Sequence, residues 1–155
     1  IFGETSIDAW PALPSSLWLE PAVTATPEAV EALLAADLIL LGPGSFLTSL
    51  LPPLLVPELA NAIRVSEAQF VFLANLQPEL GPVGQLSLAD QLAWIARLTG
   101  RAIDSVIAPP NAPELSTPCY RSQLAEQNCY WRHDRDKLLQ ALEQLMAQPE
   151  HVGCR

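Results

Sequence analysis

From Leu38 to Pro57 the chain runs LILLGPGSFLTSLLPPLLVP, twenty residues without a charge. That run narrows the possible folds more than any other feature of the sequence. Its length meets the criterion for a membrane-spanning helix. However, Pro43, Pro52, Pro53 and Pro57, with Gly42 and Gly44, interrupt it, and lipid offers no partners for the backbone groups such breaks expose. The run therefore predicts a buried strand over Leu38–Leu41, a tight loop and a short buried helix, with no membrane span. A strand apolar on both faces belongs to a parallel sheet covered by helices.

The rest of the chain repeats this logic. Thr26-Pro27-Glu28 is a helix start, with Thr26 as N-cap and proline at the first helical position. Ala29, Val30, Leu33 and Leu34 supply its apolar face to Ala36. A helix to Leu50 follows the glycine loop, and another spans Pro57–Val65. Gln69–Ala74 reads as the second strand, closed by Asn75, and Pro78–Gly84 as a loop. Ser87 caps a helix to Thr99 that Gly100 stops. Ile103–Ala108 is the third strand, residues 111–119 are turn-rich, and 120–125 reads as a further strand. Asp134 caps a last helix to Ala147 with Leu138, Leu139, Leu142 and Leu145 on one stripe, and residues 150–155 read as a frayed tail. Alternating helix and apolar strand predicts a single α/β domain with a parallel sheet. At 155 residues it can bury about 70% of its unfolded surface.

Charge and cysteine usage restrict the partners. Eight bases against seventeen acids give a net charge of -9, which disfavours nonspecific binding to nucleic acid or anionic lipid. Arg64 is the only base in residues 1–96, so the cation for an anionic ligand comes from the C-terminal third or from another polypeptide. Three cysteines, Cys119, Cys129 and Cys154, form no CxxC pair, and with two histidines they predict no zinc site. Reduced thiols fit a cytoplasmic protein. Ile1-Phe2-Gly3-Glu4 lacks the basic start and apolar run of a secretory signal. With no initiator methionine, this opening predicts the C-terminal part of a longer protein, prone to self-association through apolar surface its other half would cover.

Ligands of open parallel sheets sit outside the carboxyl ends of the strands. Gly42-Pro43-Gly44-Ser45, with Thr48 on the helix behind it, is one such end. It is either a phosphate cradle of backbone amides or an ordinary strand-to-helix turn with Ser45 as its cap. Asn75 and Leu76 close the second strand, where the amide side chain either fixes a ligand or satisfies nearby backbone. Arg132 reaches a phosphate or stays solvated, and His133 is a lone histidine without an identified partner. No nucleophile elbow, phosphate-binding lysine loop or catalytic acid pair occurs, so no catalytic residue is expected.

The nine residues Leu41–Ser49, preceded by Ala36-Asp37 and followed by Pro53-Leu54-Leu55-Val56, resemble the signature of the bacterial gluconeogenesis-factor family (YvcK-like), related to the 2-phospho-L-lactate transferase CofD. Gly3-Glu4, Asn75-Leu76 and Arg132-His133-Asp134 are similar to further family positions, and the last of these is closest to the YbhK-type branch. The resemblance implies a Rossmann-like three-layer α/β fold, of which residues 1–149 would be the C-terminal half. It also implies a regulatory protein that binds a UDP-activated amino sugar such as UDP-N-acetylglucosamine, supports gluconeogenic growth and cell shape, and does not catalyse. Gly42, Pro43, Gly44, Ser45 and Thr48 would line the phosphate or sugar pocket, Asn75 and Leu76 its rim, and Arg132 would contact the pyrophosphate. The alternative from the transferase relatives is movement of a phosphorylated group from a nucleotide diphosphate carrier with Mg²⁺; no cofactor is otherwise implied. The family's Thr-Gln-x-Gly-Glu-Thr stretch is replaced here by Leu76-Gln77-Pro78-Glu79-Leu80-Gly81, its Asp-His by Asp90-Gln91 and its Leu-Tyr by Phe46-Leu47. Those departures leave a scaffold with a vestigial pocket as a second alternative.

Overall fold

A computed structural model describes residues 3–147. Cys154 and the tail expected over 150–155 lie outside the described residues. Four strands, β1 (Leu38–Leu41), β2 (Gln69–Leu73), β3 (Ser105–Ala108) and β4 (Cys119–Arg121), form one parallel sheet in the order β1-β2-β3-β4. Alternation along each strand sorts side chains between two cores. Ile39, Phe70, Phe72, Val106 and Ala108 pack with Phe46, Leu47, Leu51 and Ile95 from the helical segments after β1 and β2. Val71, Leu73 and Ile107 face the other way, onto Leu124, Ala141 and Leu145. The chain is thus a three-layer α/β fold with helices on both faces of a parallel sheet, as the apolar strands require.

Helix α2 (Pro27–Ala35) packs on α4 (Pro57–Val65), and α4 and the short α3 (Leu51–Leu54) pack on α5 (Leu88–Thr99). Helix α6 (Arg135–Met146) covers the opposite face. Sequence caps act where expected. The Ser87 hydroxyl accepts the Asp90 amide while Asp90 accepts the Ser87 amide, and Gly100 closes α5 at φ +67°. The Asp134 carboxylate accepts the amides of Asp136 and Lys137, 3.1 Å each.

Several elements differ from the sequence expectation. A first helix, α1 (Glu4–Asp8), is too short to show a periodicity. The helix after Gly44 opens as a wide turn over Phe46–Leu50, in which the Ser45 carbonyl accepts from both Ser49 and Leu50, and it then continues through α3. The expected strand over 120–125 is split, because the chain leaves the sheet after Arg121. Ala125–Glu126 (β5) pairs instead, antiparallel, with Cys129–His133 (β6). This hairpin carries exposed Tyr130 and Trp131 and so lacks the alternation that marks a half-buried strand. Leu139, expected on the apolar stripe of α6, is 54% exposed, since the buried face runs through Leu138, Ala141, Leu142 and Leu145. Among the described residues no single helix is long and apolar enough to cross a membrane. The apolar Phe46–Leu54 meets Pro57–Val65 at a 75° bend.

Candidate functional site

The chain passes from β1 into Gly42 at φ +103°, where an added Cβ would stand 2.5 Å from the Leu73 carbonyl oxygen of β2. Only glycine allows this approach, and it sets the next residues beside the end of β2. Asn75 then ties the two strand ends together. Its Oδ1 accepts the Gly44 amide at 3.2 Å, and its Nδ2 donates to the Gly44 carbonyl at 2.9 Å. Both readings left open for Asn75 bear on this contact: it satisfies backbone, and that backbone is the loop itself.

Sequence reasoning did not see what occupies the loop. Glu79, 33 residues away, accepts the Phe46 amide with both carboxylate oxygens, at 3.0 and 3.1 Å, and takes a further bond from Asn75 Nδ2 at 3.0 Å. Behind it the Thr48 hydroxyl donates to Ser45 Oγ at 2.7 Å, and the Ser45 hydroxyl donates to Asp8 of α1 at 3.3 Å. Gly81, at φ +75°, lets the loop after β2 lie against α1, where a Cβ would meet the Asp8 carbonyl oxygen at 2.1 Å. None of the ion pairs among the described residues involves Glu79 or Asp8. Burial pushes the Glu79 carboxyl above the usual carboxylate range and the nearby Asp8 adds to this, while the hydrogen bonds from Phe46, Ser45 and Asn75 act against it.

Three clefts open around this point, and Leu76 and Gln77 line all of them. One, of about 320 Å³, lies between Pro43, Gly44, Asn75 and Glu79 on one side and Trp131 and His133 on the other. The other two, about 270 Å³ each, share Pro109 and Asn111; one continues toward Leu86 and Gln91, the other toward Tyr130. Adjoining volumes of this size suit a small-molecule site. A larger cavity of about 590 Å³ draws its lining from the single stretch of residues 3–20. The three clefts join residues distant in the chain at the carboxyl end of β2, so they are the stronger candidate.

The sequence-predicted residues divide accordingly. Pro43, Gly44, Asn75 and Leu76 meet in one cleft, with Leu76 at its floor because its side chain is 7% exposed and belongs to the core under α6. Gly42, Ser45 and Thr48 support the loop from behind. Arg132 stands apart: Trp131 and His133 line the cleft, so the alternation of β6 turns Arg132 to the opposite side, where its guanidinium pairs with Glu126. His133, set aside in the sequence as a lone histidine, reaches the cleft with a buried Nε2 that has no hydrogen-bond partner. Desolvation lowers its pKa, and a hydrogen bond with the Ala74 backbone works against that, so the imidazole is neutral at neutral pH. No sequence signal marks Asp8. Glu79 was visible only as an acid in a loop that departs from the family pattern.

Among the described residues no three His, Cys, Asp or Glu side chains are grouped to hold a metal ion. The two acids at the loop are engaged with Ser45 and Phe46. This donor set does not fit a divalent cation of its own.

Comparison with known proteins places the chain in context. The family model described as 2-phospho-L-lactate transferase CofD matches residues 1–149. A protein of Vibrio cholerae named "Putative gluconeogenesis factor" is 48% identical over 148 residues, 93% of this chain and 50% of that protein. One of the same name from Pasteurella multocida is 45% identical over 153 residues, 96% of this chain and 50% of that protein. The chain therefore spans about half the length of the curated relatives it matches. A crystal structure of a UPF0052-family protein from Bacillus halodurans superposes with a TM-score of 0.72 at 24% identity, over 81% of this chain and 49% of that one. A second structure from that organism gives 0.78 over 92% and 55%. These superpositions establish the fold.

Proposed function

Because this chain belongs to the CofD family, with relatives named as gluconeogenesis factors, we propose that it contributes the carboxyl-end half of a nucleotide-sugar site in a cytoplasmic regulatory protein. The ligand class is a UDP-linked amino sugar such as UDP-N-acetylglucosamine, and the whole site is completed by an N-terminal half. The observation that carries the reading is the cleft at the ends of β1 and β2. There a glycine loop, an asparagine clamp and an imidazole with an unpartnered Nε2 converge on one volume. The Phe46 amide, now held by Glu79, suits a phosphate oxygen, and a neutral imidazole suits the polar edge of a sugar or base.

In this reading Gly42, Pro43, Gly44, Ser45 and Thr48 shape the diphosphate side of the cleft, and Asn75 and Leu76 its rim. Arg132 is the cation. It is exposed on the same side of β6 as Tyr130, which lines one neighbouring cleft, and among the described residues its ion pair is with Glu126, so releasing that acid frees a guanidinium for the ligand. Binding without turnover is the behaviour this reading expects.

The family model's description, a 2-phospho-L-lactate transferase, favours a second reading; on the resemblance, such a transferase would take a phosphorylated group from a nucleotide diphosphate carrier with Mg²⁺. The two readings separate in one experiment. The full-length protein carrying this chain is incubated with UDP-N-acetylglucosamine, UDP or GDP, with and without Mg²⁺, and both binding and product are followed. Saturable uridine-nucleotide binding with no product supports the regulatory reading. Mg²⁺-dependent product replaces it with the transferase, and absence of binding to every uridine nucleotide sinks it.

A further inference from the structure

A backbone amide just behind the glycine loop carries an anion that also lines the cleft, and that anion belongs to the chain. Both oxygens of Glu79 lie on the Phe46 amide, and Asn75, which also clamps Gly44, donates to one of them. We propose that Glu79 is an internal stand-in for the ligand's anionic group: it holds the Phe46 amide while the site is empty, and an incoming phosphate takes the amide over from it. The proposal rests on the nucleotide reading for the identity of the phosphate and on the geometry for the identity of its competitor.

Three observations point the same way. Two anions cannot share one amide at hydrogen-bond distance, so a phosphate at Phe46 requires Glu79 to leave. No cation holds Glu79 among the described residues: its donors Phe46, Ser45 and Asn75 are neutral, Asp8 from α1 repels it, and from β6 His133 presents a neutral ring and Trp131 no charge. Third, Glu79 has somewhere to go. It sits between Pro78 and Leu80, which is 92% exposed, and Gly81 follows it in the left-handed region. Glu79 itself lines two of the three clefts, so withdrawing the carboxylate changes their shape. The cost of that displacement lowers the apparent affinity by the fraction of molecules in which the seat is free.

The test follows the Phe46 amide by ¹H–¹⁵N NMR in the full-length protein carrying this chain, as wild type, as Glu79→Gln, which keeps the shape, and as Glu79→Ala, which empties the seat. Without ligand, the Phe46 resonance should move as the wild-type carboxyl titrates and stay still in E79Q. Asp8 is the other acid in reach, so Asp8→Asn serves as the control that leaves the Phe46 response in place. With UDP as the probe, the Phe46 amide should shift in the wild type, and E79A should bind about tenfold more tightly, the size of one charge-assisted contact no longer in competition. A Phe46 amide silent to pH overturns the proposal at its geometric base. Weaker binding of UDP by E79A overturns it too, because Glu79 is then a ligand contact. If UDP gives no binding to any variant by calorimetry, the nucleotide reading falls and the handover to phosphate falls with it, whereas the pH response of Phe46 still stands or fails on its own.

Discussion

Each end of the parallel sheet holds an acid that accepts a backbone amide from a neighbouring element, but only one of the two acids has a cation. At the amino end Asp104 accepts the Phe70 amide at 2.8 Å, and Arg101 binds the same carboxylate at 2.7 Å. The Arg101 guanidinium also donates to the carbonyls of Ile63, Ser66 and Ala68 and lies over the Phe70 ring. At the carboxyl end Glu79 accepts the Phe46 amide with Asp8 nearby and no base paired to either. The first arrangement is closed, with donors and acceptors matched. The second leaves a carboxyl raised in pKa, a histidine nitrogen without a partner and open clefts. The same sheet thus separates a fastening end from an end built to exchange partners.

The largest effect should come from breaking the fastened end. Arg101→Ala leaves three carbonyls and Asp104 without their donor, and should cost about 2–4 kcal/mol in urea unfolding. Nucleotide affinity of the folded fraction should be unchanged. A loss near zero would make the two ends alike.

Asn75→Ala comes next. It strips both partners from Gly44 and should cost about 1–3 kcal/mol while weakening UDP binding, because the loop loses its clamp. Unaltered binding in a folded N75A protein would remove the clamp from the site.

Smaller effects sharpen the comparison through pH. The folded chain keeps the Glu79 proton at pH values where the unfolded chain has lost it. Stability should therefore fall as pH rises from the ordinary glutamate value toward the raised folded one, and E79Q should lack that decline. His133 has the opposite sign: folding lowers its pKa, so stability should rise as pH climbs from that lowered value to the ordinary histidine range, a rise His133→Asn should lack. Denaturant titrations of each variant against wild type across pH check both. Coincident wild-type and variant profiles would contradict the assignment.

Arg132→Ala should be smallest for stability, with an unmoved urea midpoint, since the exposed pair with Glu126 is screened. It should still weaken UDP binding several-fold, and an unchanged affinity would leave the arginine on Glu126.

What could be read from the sequence follows the range of the interaction. Thr26, Ser87, Gly100 and Asp134 act within a turn of themselves, and their positions in the sequence predicted the helix ends. The wholly apolar Leu38–Leu41 predicted a buried parallel strand; it is parallel, as β1, but at the edge of the sheet, where Ile39 is buried and Leu40 is exposed. The glycine loop was visible as a loop, and Gly42 explains why it had to be glycine. Its occupant was not, because Glu79 and Asp8 reach it across 33 and 37 residues, and nothing local distinguishes an acid that bends back to an amide from one that faces water. Arg101 escaped for the same reason. The β5–β6 hairpin was hidden by its exposed aromatics, and with it the fact that His133, rather than Arg132, faces the cleft.

The most direct test of the account is a calorimetric titration of the full-length protein with UDP-N-acetylglucosamine, with and without Mg²⁺. The account predicts saturable binding in the micromolar range, about 8 kcal/mol, with no turnover. No saturable binding with or without Mg²⁺ would contradict it, and would leave the clefts at the carboxyl end of the sheet without the ligand proposed for them.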